Sequence, residues 1–440
     1  MTARCCFGLA LACVGGFLGG ACAREPGPRV EMVAVGVLGR NPAADPALAV
    51  DPATSDWLLT WVGADASGKT WNVWFSRSPD QGATWHAPVQ VTDVAHDVHP
   101  HGESSPRVVV SPKGVIAAVW VNSIEVTGRR WPASNVRFSR SIDGGRTWSK
   151  AVTLNDDTTA APGGHIFHGA AWTGDSTILV AWLDERGGAV PGDSAGHGGH
   201  PGHHPPRAPP DGEADARVYA VGSSDGGARW APNTPLWGAA CPCCRVSLAR
   251  GPNGTVIAAW RKHFPQSVRD PVIAAIGTAG RSAAPLTETR VATDDWVYPG
   301  CPHTGPGIAV DIQGITHVAW YTGKPGAAGV YYTRNLAASA EFAKPLALFS
   351  ARTLPTAHPR VAALPNGEAI VASDIDEKGR SVLSLARIGK SEKLLGRSEV
   401  PESNGAGHPD VVALSDGTAL VAWTQREGDR TTVKLARVRP

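Results

Sequence analysis

The sequence predicts an all-β fold: a β-propeller of seven blades, or of six if one repeat is misread. Three observations predict it. A pair of short strands recurs along the body, an Asp- and Gly-centred turn appears three times, and the composition suits strands. The 440 residues include 51 Gly and 36 Pro, which supply turns, and 16 Trp against two Met, which favours short strands over long helices. Lys and Arg number 41 against 39 Asp and Glu, a net charge of +2 with no basic stripe. Nucleic acid is therefore not an expected partner.

Residues 1–23 read as a signal peptide. Arg4 gives the basic start, the run from Cys5 to Ala21 is apolar or small, and Ala21-Cys22-Ala23 fits a cleavage site. The run is short for a membrane span and Arg24-Glu25 follows at once. Cys22 as a lipid-modified first residue is the alternative, with Leu18 four residues before it where such leaders usually place the leucine three before. A periplasmic or secreted protein is expected, a lipoprotein in the alternative, with no transmembrane segment. Residues 24–440 form the single propeller.

Each repeat runs from an apolar strand, through a Gly/Asn/Asp turn, to a second strand that usually ends in Ala-Trp. The second strands end at Trp61, Trp120, Trp182, Trp260, Trp320, Ser373 and Trp423. Their spacing of 50 to 78 residues, filled by short alternating strands, is a propeller period. Third strands follow at Trp71–Phe75, Val136–Phe138, Val218–Val221 and Val330–Tyr332. The last repeat stops after its third strand, so Arg29–Leu38 is expected to supply its outer strand, close the ring and remove open edges.

Three turns share the pattern Ser-x-Asp-x-Gly-x-x-Trp: Ser78 to Trp85, Ser141 to Trp148 and Ser223 to Trp230. The carboxylate is expected to accept N–H bonds inside the turn, the glycine to take positive φ, and the tryptophan to cover the seam between sheets. This turn is the Asp box, or bacterial neuraminidase repeat, and through it the chain resembles the sialidase superfamily over its whole body. The resemblance implies that the turn joins third and fourth strands on the face opposite the usual site, as a staple without chemistry. Cys-Pro-Cys-Cys-Arg at 241–245 and Gly-Cys-Pro-His-Thr-Gly-Pro at 300–306 look like segments of poorly characterised exported Asp-box propellers, a likeness that implies no activity.

First strands line the central channel and start on the functional face, so their starts are where chemistry is sought. Seven of the 15 His lie just before or at these starts: His99, His101, His165, His168, His303, His358 and His408. Cys241, Cys243, Cys244 and Cys301 fall there too, as do Arg107, Arg245, Arg360, Glu103, Tyr298 and Asp410. Imidazoles with thiolates suit a transition metal, copper first and zinc second, and not magnesium or calcium. The expected ligands are His101, His168, His303, His358 and His408, with the four Cys near the rim. Disulfides are the even alternative for those Cys in an oxidising compartment; vicinal Cys243 and Cys244 rarely bridge each other, so a bridge would run from one of them to Cys301. Residues 187–215 form a His/Pro/Gly-rich insertion within blade three. It is expected to be flexible, and its His197, His200, His203 and His204 make a secondary metal loop.

The sialidase resemblance implies a second function: an exo-glycosidase that grips an acidic sugar with three Arg and uses a Tyr nucleophile, a Glu and an Asp. The candidates are Arg107, Arg245 and Arg360, with Tyr298 and Glu103 as a rearranged pair. The family pattern is incomplete, since no Phe/Tyr-Arg-Ile/Leu-Pro motif opens the first blade and no Tyr follows Tyr332. A third reading is a glycan- or protein-binding propeller without catalysis.

Overall fold

The computed structural model describes residues 27–38, 41–127, 132–157, 163–186, 216–279, 282–335, 341–352, 354 and 356–440. The signal peptide, Cys22 and the insertion 187–215 with its four His lie outside the described residues. Among those described, strands dominate, there is no α-helix, and three short 3-10 turns occur. No helix among them is long and apolar enough to cross a membrane.

The fold is a β-propeller built from antiparallel strands in sequential order. The first sheet holds Ala43–Val50, Trp57–Ala64, Trp71–Ser78 and Val89–Gln90; the second holds Arg107–Val110, Ile116–Ile124, Ala133–Ser141 and Val152–Thr153. His165–Trp172, Ile178–Asp184, Ala216–Ser223 and Thr234–Ala240 follow. One residue pair, Ala240 with Lys262, joins this group to Ser247–Arg250, Val256–Phe264, Val268–Ala279, Ser282–Pro285 and Thr289–Arg290, making a nine-stranded sheet. Two more four-stranded sheets begin at Gly307–Val310 and Arg360–Ala363. In the last sheet, Ala406–Ala413, Ala419–Glu427 and Arg430–Arg439 are completed by Arg29–Val33, which pairs with Arg430–Arg439. The N-terminal strand is shorter than the sequence suggests: it ends at Val33, and Gly36–Leu38 is a 3-10 turn. Val33, Val35 and Leu38 pack instead against the apolar cluster around Trp57, Leu420 and Leu435.

Each first strand packs against the next, from Ala43–Val50 round to Ala406–Ala413, which touches Ala43–Val50 again. The apolar core therefore lies between neighbouring sheets. Trp61, Trp120, Trp182, Trp260, Trp320 and Trp423, at the ends of second strands, are all buried and each faces the preceding sheet. Fully burying one such side chain contributes about 1.5–3 kcal/mol or more, which explains why the repeat keeps it.

The three Ser-x-Asp-x-Gly-x-x-Trp turns share one bonding scheme. Ser78, Ser141 and Ser223 accept the N–H of Gly82, Gly145 and Gly227 at 2.7–2.9 Å, while Asp80, Asp143 and Asp225 accept the N–H of residues 84, 147 and 229 at 2.8–3.0 Å. Gly145 has φ +88°, and a Cβ there would stand 2.0 Å from Phe75. Trp148 meets Phe75, and Trp230 meets Phe138, edge to face across the seam to the preceding sheet.

Candidate functional site

The linkers that lead into first strands converge on one face. Glu103 sits in the turn before Arg107–Val110 and is buried. Its carboxylate receives the Arg245 guanidinium and the Gly305 N–H at 2.8 Å. Arg245 also donates to Ser247 Oγ at 3.3 Å and to the carbonyls of Gly305 and Pro359 at 3.2 Å each. It lies two residues before its strand, which starts at Ser247, whereas Arg107 and Arg360 do begin theirs. Burial pushes the Glu103 pKa up, but Arg245, His358, His408 and the Gly305 N–H outweigh it and bring it down to about 2. Arg107 and Arg360 share Asp410 at 3.8 and 3.5 Å. The three Arg are thus held by two carboxylates. Tyr298 does not pair with Glu103; its ring stacks on Trp296 at 5.2 Å.

The expected histidines divide. His358 Nδ1 lies 2.7 Å from Asp374 and its Nε2 3.1 Å from the His303 carbonyl. Burial opposes its charge, but Asp374 outweighs burial and raises the pKa above the ordinary histidine value. His408 packs on it with ring centroids 4.0 Å apart, and burial, then the His358 charge, lower its pKa to about 3. Gly102 makes room, since a Cβ there would stand 2.0 Å from the His408 ring. One ligand atom each from Glu103, His358 and His408 lie within 4.8 Å of one another. Both His358 nitrogens and both Glu103 oxygens already have partners, so a metal here would have to displace hydrogen bonds. His101 and His303 lie exposed beside this group, and His101 meets Phe167 edge to face at 5.4 Å. His168 joins neither cluster: it is buried in its strand with Nε2 2.9 Å from the Val119 carbonyl. His165 is likewise buried, with Nε2 3.2 Å from Asp157.

The thiols form a second cluster. Cys241, Cys243 and Cys244 are buried between the third and fourth strand groups, and their Sγ atoms lie within 4.8 Å of one another. Cys241 Sγ is 3.3 Å from that of Cys244 and 4.0 Å from that of Cys243. Cys301, from the next linker, packs against the same buried cluster. All four are free thiols. The backbone fixes the loop: Cys241 N–H donates to Arg261 O at 2.9 Å, and Cys244 N–H to Cys241 O at 3.3 Å. Burial opposes ionisation of Cys241, yet its thiol neighbours and the charges of Arg269 and Arg261 pull its pKa well below the usual thiol value. Burial and its thiol neighbours push Cys243 well above it, and burial and Cys241 push Cys244 above it against the opposing pull of Cys243 and Arg261. One thiolate held by neighbouring thiols is a ready donor set for a soft or borderline metal.

Sequence reasoning missed Asp374, Arg261 and Arg269. Two carried a signal: the residue after the second-strand Trp, or after Ser373 in the sixth repeat, is Val62, Val121, Leu183, Tyr321 or Thr424 in five repeats, but Arg261 and Asp374 in the others.

No protein-family profile and no curated protein matches the chain. Solved structures do. A protein of unknown function from Dyadobacter fermentans DSM 18053 is similar at TM-score 0.51 and 13% identity, over 94% of this chain and 98% of that one. An ulvan lyase of polysaccharide lyase family PL25 is similar at TM-score 0.54 and 12% identity, over 92% and 95%. The NanB sialidase of Streptococcus pneumoniae gives TM-score 0.48 and 9% identity, over 94% and 70%. At such identities the likeness is one of fold alone, a β-propeller.

Proposed function

We propose that this protein is an exported, seven-bladed propeller, its ring closed by the N-terminal strand, that holds a transition-metal ion on the thiolates of Cys241, Cys243, Cys244 and Cys301. The thiol geometry carries the reading. Tetrahedral coordination at a metal–sulfur distance of about 2.3 Å spaces the sulfurs about 3.8 Å apart. The two Cys241 separations, 3.3 and 4.0 Å, bracket that spacing without any pair being bonded. Copper, favoured from the sequence and here as copper(I), and zinc both suit such a set. The His358 and His408 group is the weaker ligand set, because its donors are already engaged.

Elemental analysis of the mature protein, exported and untagged, tests this together with a free-thiol count. Near-stoichiometric copper or zinc is expected. It should be lost in Cys241→Ser and Cys244→Ser, and retained after His358→Ala and after deletion of 192–210. A metal-free protein whose four Cys are all oxidised to disulfides refutes the proposal.

A further inference from the structure

Four buried arginines and the half-buried Arg107 lie around the two clusters, and two of the five lack a carboxylate. Arg245 has Glu103, and Arg107 and Arg360 share Asp410. Arg261 donates only to backbone carbonyls: Thr304 at 3.0 Å, Arg269 at 2.8 Å and Tyr321 at 2.7 Å. Its guanidinium lies 5.2 Å from the centroid of the Trp296 ring. Arg269 donates to Tyr298 O at 3.3 Å, and its Nη1 is buried without a hydrogen-bond partner. Among the described residues neither guanidinium has an acid within ion-pair distance; Asp294, bonded to Trp320, acts on Arg261 only from farther away.

An uncompensated buried cation is costly, so two such cations side by side require anions nearby. The groups beside both are the thiols: Arg261 and Arg269 bond the Thr304 and Tyr298 carbonyls that flank Cys301, and the Arg261 carbonyl accepts the Cys241 N–H at 2.9 Å. Four neutral thiols, or two disulfides, would leave both charges unanswered.

We propose that Arg261 and Arg269 are the counter-cations of a dianionic metal–thiolate centre, so that the site takes a divalent, zinc-class ion on all four thiolates. This rests on the metal reading above and goes further by fixing the charge. One divalent ion displaces four protons from four Cys and leaves a unit of charge −2, which two guanidiniums neutralise. A monovalent copper ion on the same four thiolates would carry −3 and leave one negative charge buried. Outer-shell partners of this kind tune affinity by charge and by hydrogen bonds to sulfur.

The experiment loads the full mature chain with zinc alone, cobalt(II) alone and copper(I) alone, each in competition with a chelator, in wild type, Arg269→Met, Arg269→Lys and Cys301→Ser. Arg269→Met should weaken zinc binding about 10–100-fold, with Arg269→Lys, which keeps the charge, within about threefold of wild type. Cobalt(II) should give a tetrahedral tetrathiolate spectrum that Cys301→Ser abolishes. Equal zinc affinity in wild type and Arg269→Met overturns the inference, as does a Cys301→Ser protein that binds zinc like wild type. Should Arg269→Met not fold, the Cys301→Ser arm still decides. A wild type that binds copper(I) but not zinc refutes the charge assignment and leaves the metal reading standing. A wild type that binds neither refutes both.

Discussion

Replacing Glu103 with glutamine keeps the shape of a fully buried side chain and removes its charge. Arg245, only 1% exposed, then loses the one carboxylate that answers it while still bonded to Gly305 O and Pro359 O. Breaking one side of a buried ion pair typically destabilises by about 3–5 kcal/mol. The titration gives a second measure. The Glu103 pKa is about 2 in the fold against an ordinary 4.5. At about 1.4 kcal/mol per unit, that depression is worth about 3 kcal/mol at neutral pH. The folded pKa is the lower one, so this stability is present above pH 4.5 and is lost as pH falls toward 2. Urea unfolding, followed by tryptophan fluorescence and far-UV CD together, should show Glu103→Gln about 3–5 kcal/mol less stable at pH 7. The gap should hold to pH 5 and narrow below 4.5. A gap under about 1 kcal/mol, the size of an exposed pair, would refute the view that Glu103 anchors the linkers. A gap unchanged down to pH 3 would refute its assignment to the carboxylate charge.

Two further outcomes follow from the same geometry. Gly145→Ala should cost about 1–2 kcal/mol for the left-handed backbone and about 1–3 kcal/mol more for the collision with Phe75. Gly144→Ala, at φ +76° with only the flexible Arg77 end at 2.8 Å, should cost the backbone part alone. Thermal unfolding that ranks the two equal would show that the seam yields. Asp374→Asn should drop the His358 pKa below the ordinary value, read by NMR titration, because burial is then less opposed. The folded pKa of His358 is raised and that of Asp374 lowered to about 2, so the pair stabilises most between about pH 4 and 6.5. The Asp374→Asn stability deficit should peak in that window, and a deficit flat across it would count against the pair.

The blade repeat was legible because a propeller writes its period into the chain. Each second strand needs a large residue toward the preceding sheet, and Trp marks that position six times. The starts of first strands were legible as a face for the same reason. Which His would meet was not. His168 and His408 both lie at or near a strand start, yet one is turned into the wall against Val119 O and the other stands against His358. That choice is made by backbone such as the positive φ of His408, and by Gly102, whose missing Cβ admits the ring. Neither follows from residue spacing. The Cys cluster was visible as a motif, but Arg261 and Arg269, on which the metal proposal leans, were not. Both sit in strands of the fourth group, which pairs with the third through Ala240 and Lys262 beside Cys241, a long-range juxtaposition that residue spacing does not reveal.

Charge balance also bears on the acidic-sugar reading. A guanidinium clamp needs donors that face the ligand, because the free energy comes from forked bonds to its carboxylate. Arg245 directs its donors at Ser247, Glu103, Gly305 and Pro359, so recruiting it would break a buried pair. Arg107 and Arg360 are better placed, since Asp410 answers both and leaves one positive charge in excess. Even so, Asp410 stands between them and also accepts the Leu48 N–H at 2.9 Å, which fixes it there. An anion at the axis would meet two arginines and a fixed carboxylate rather than three open forks. The thiol cluster has the opposite imbalance: among the described residues Arg261 and Arg269 have no acid within ion-pair distance, and metal-bound thiolates are the anions proposed to answer them. Of the two sites, the thiol cluster is therefore the one proposed to hold an ion.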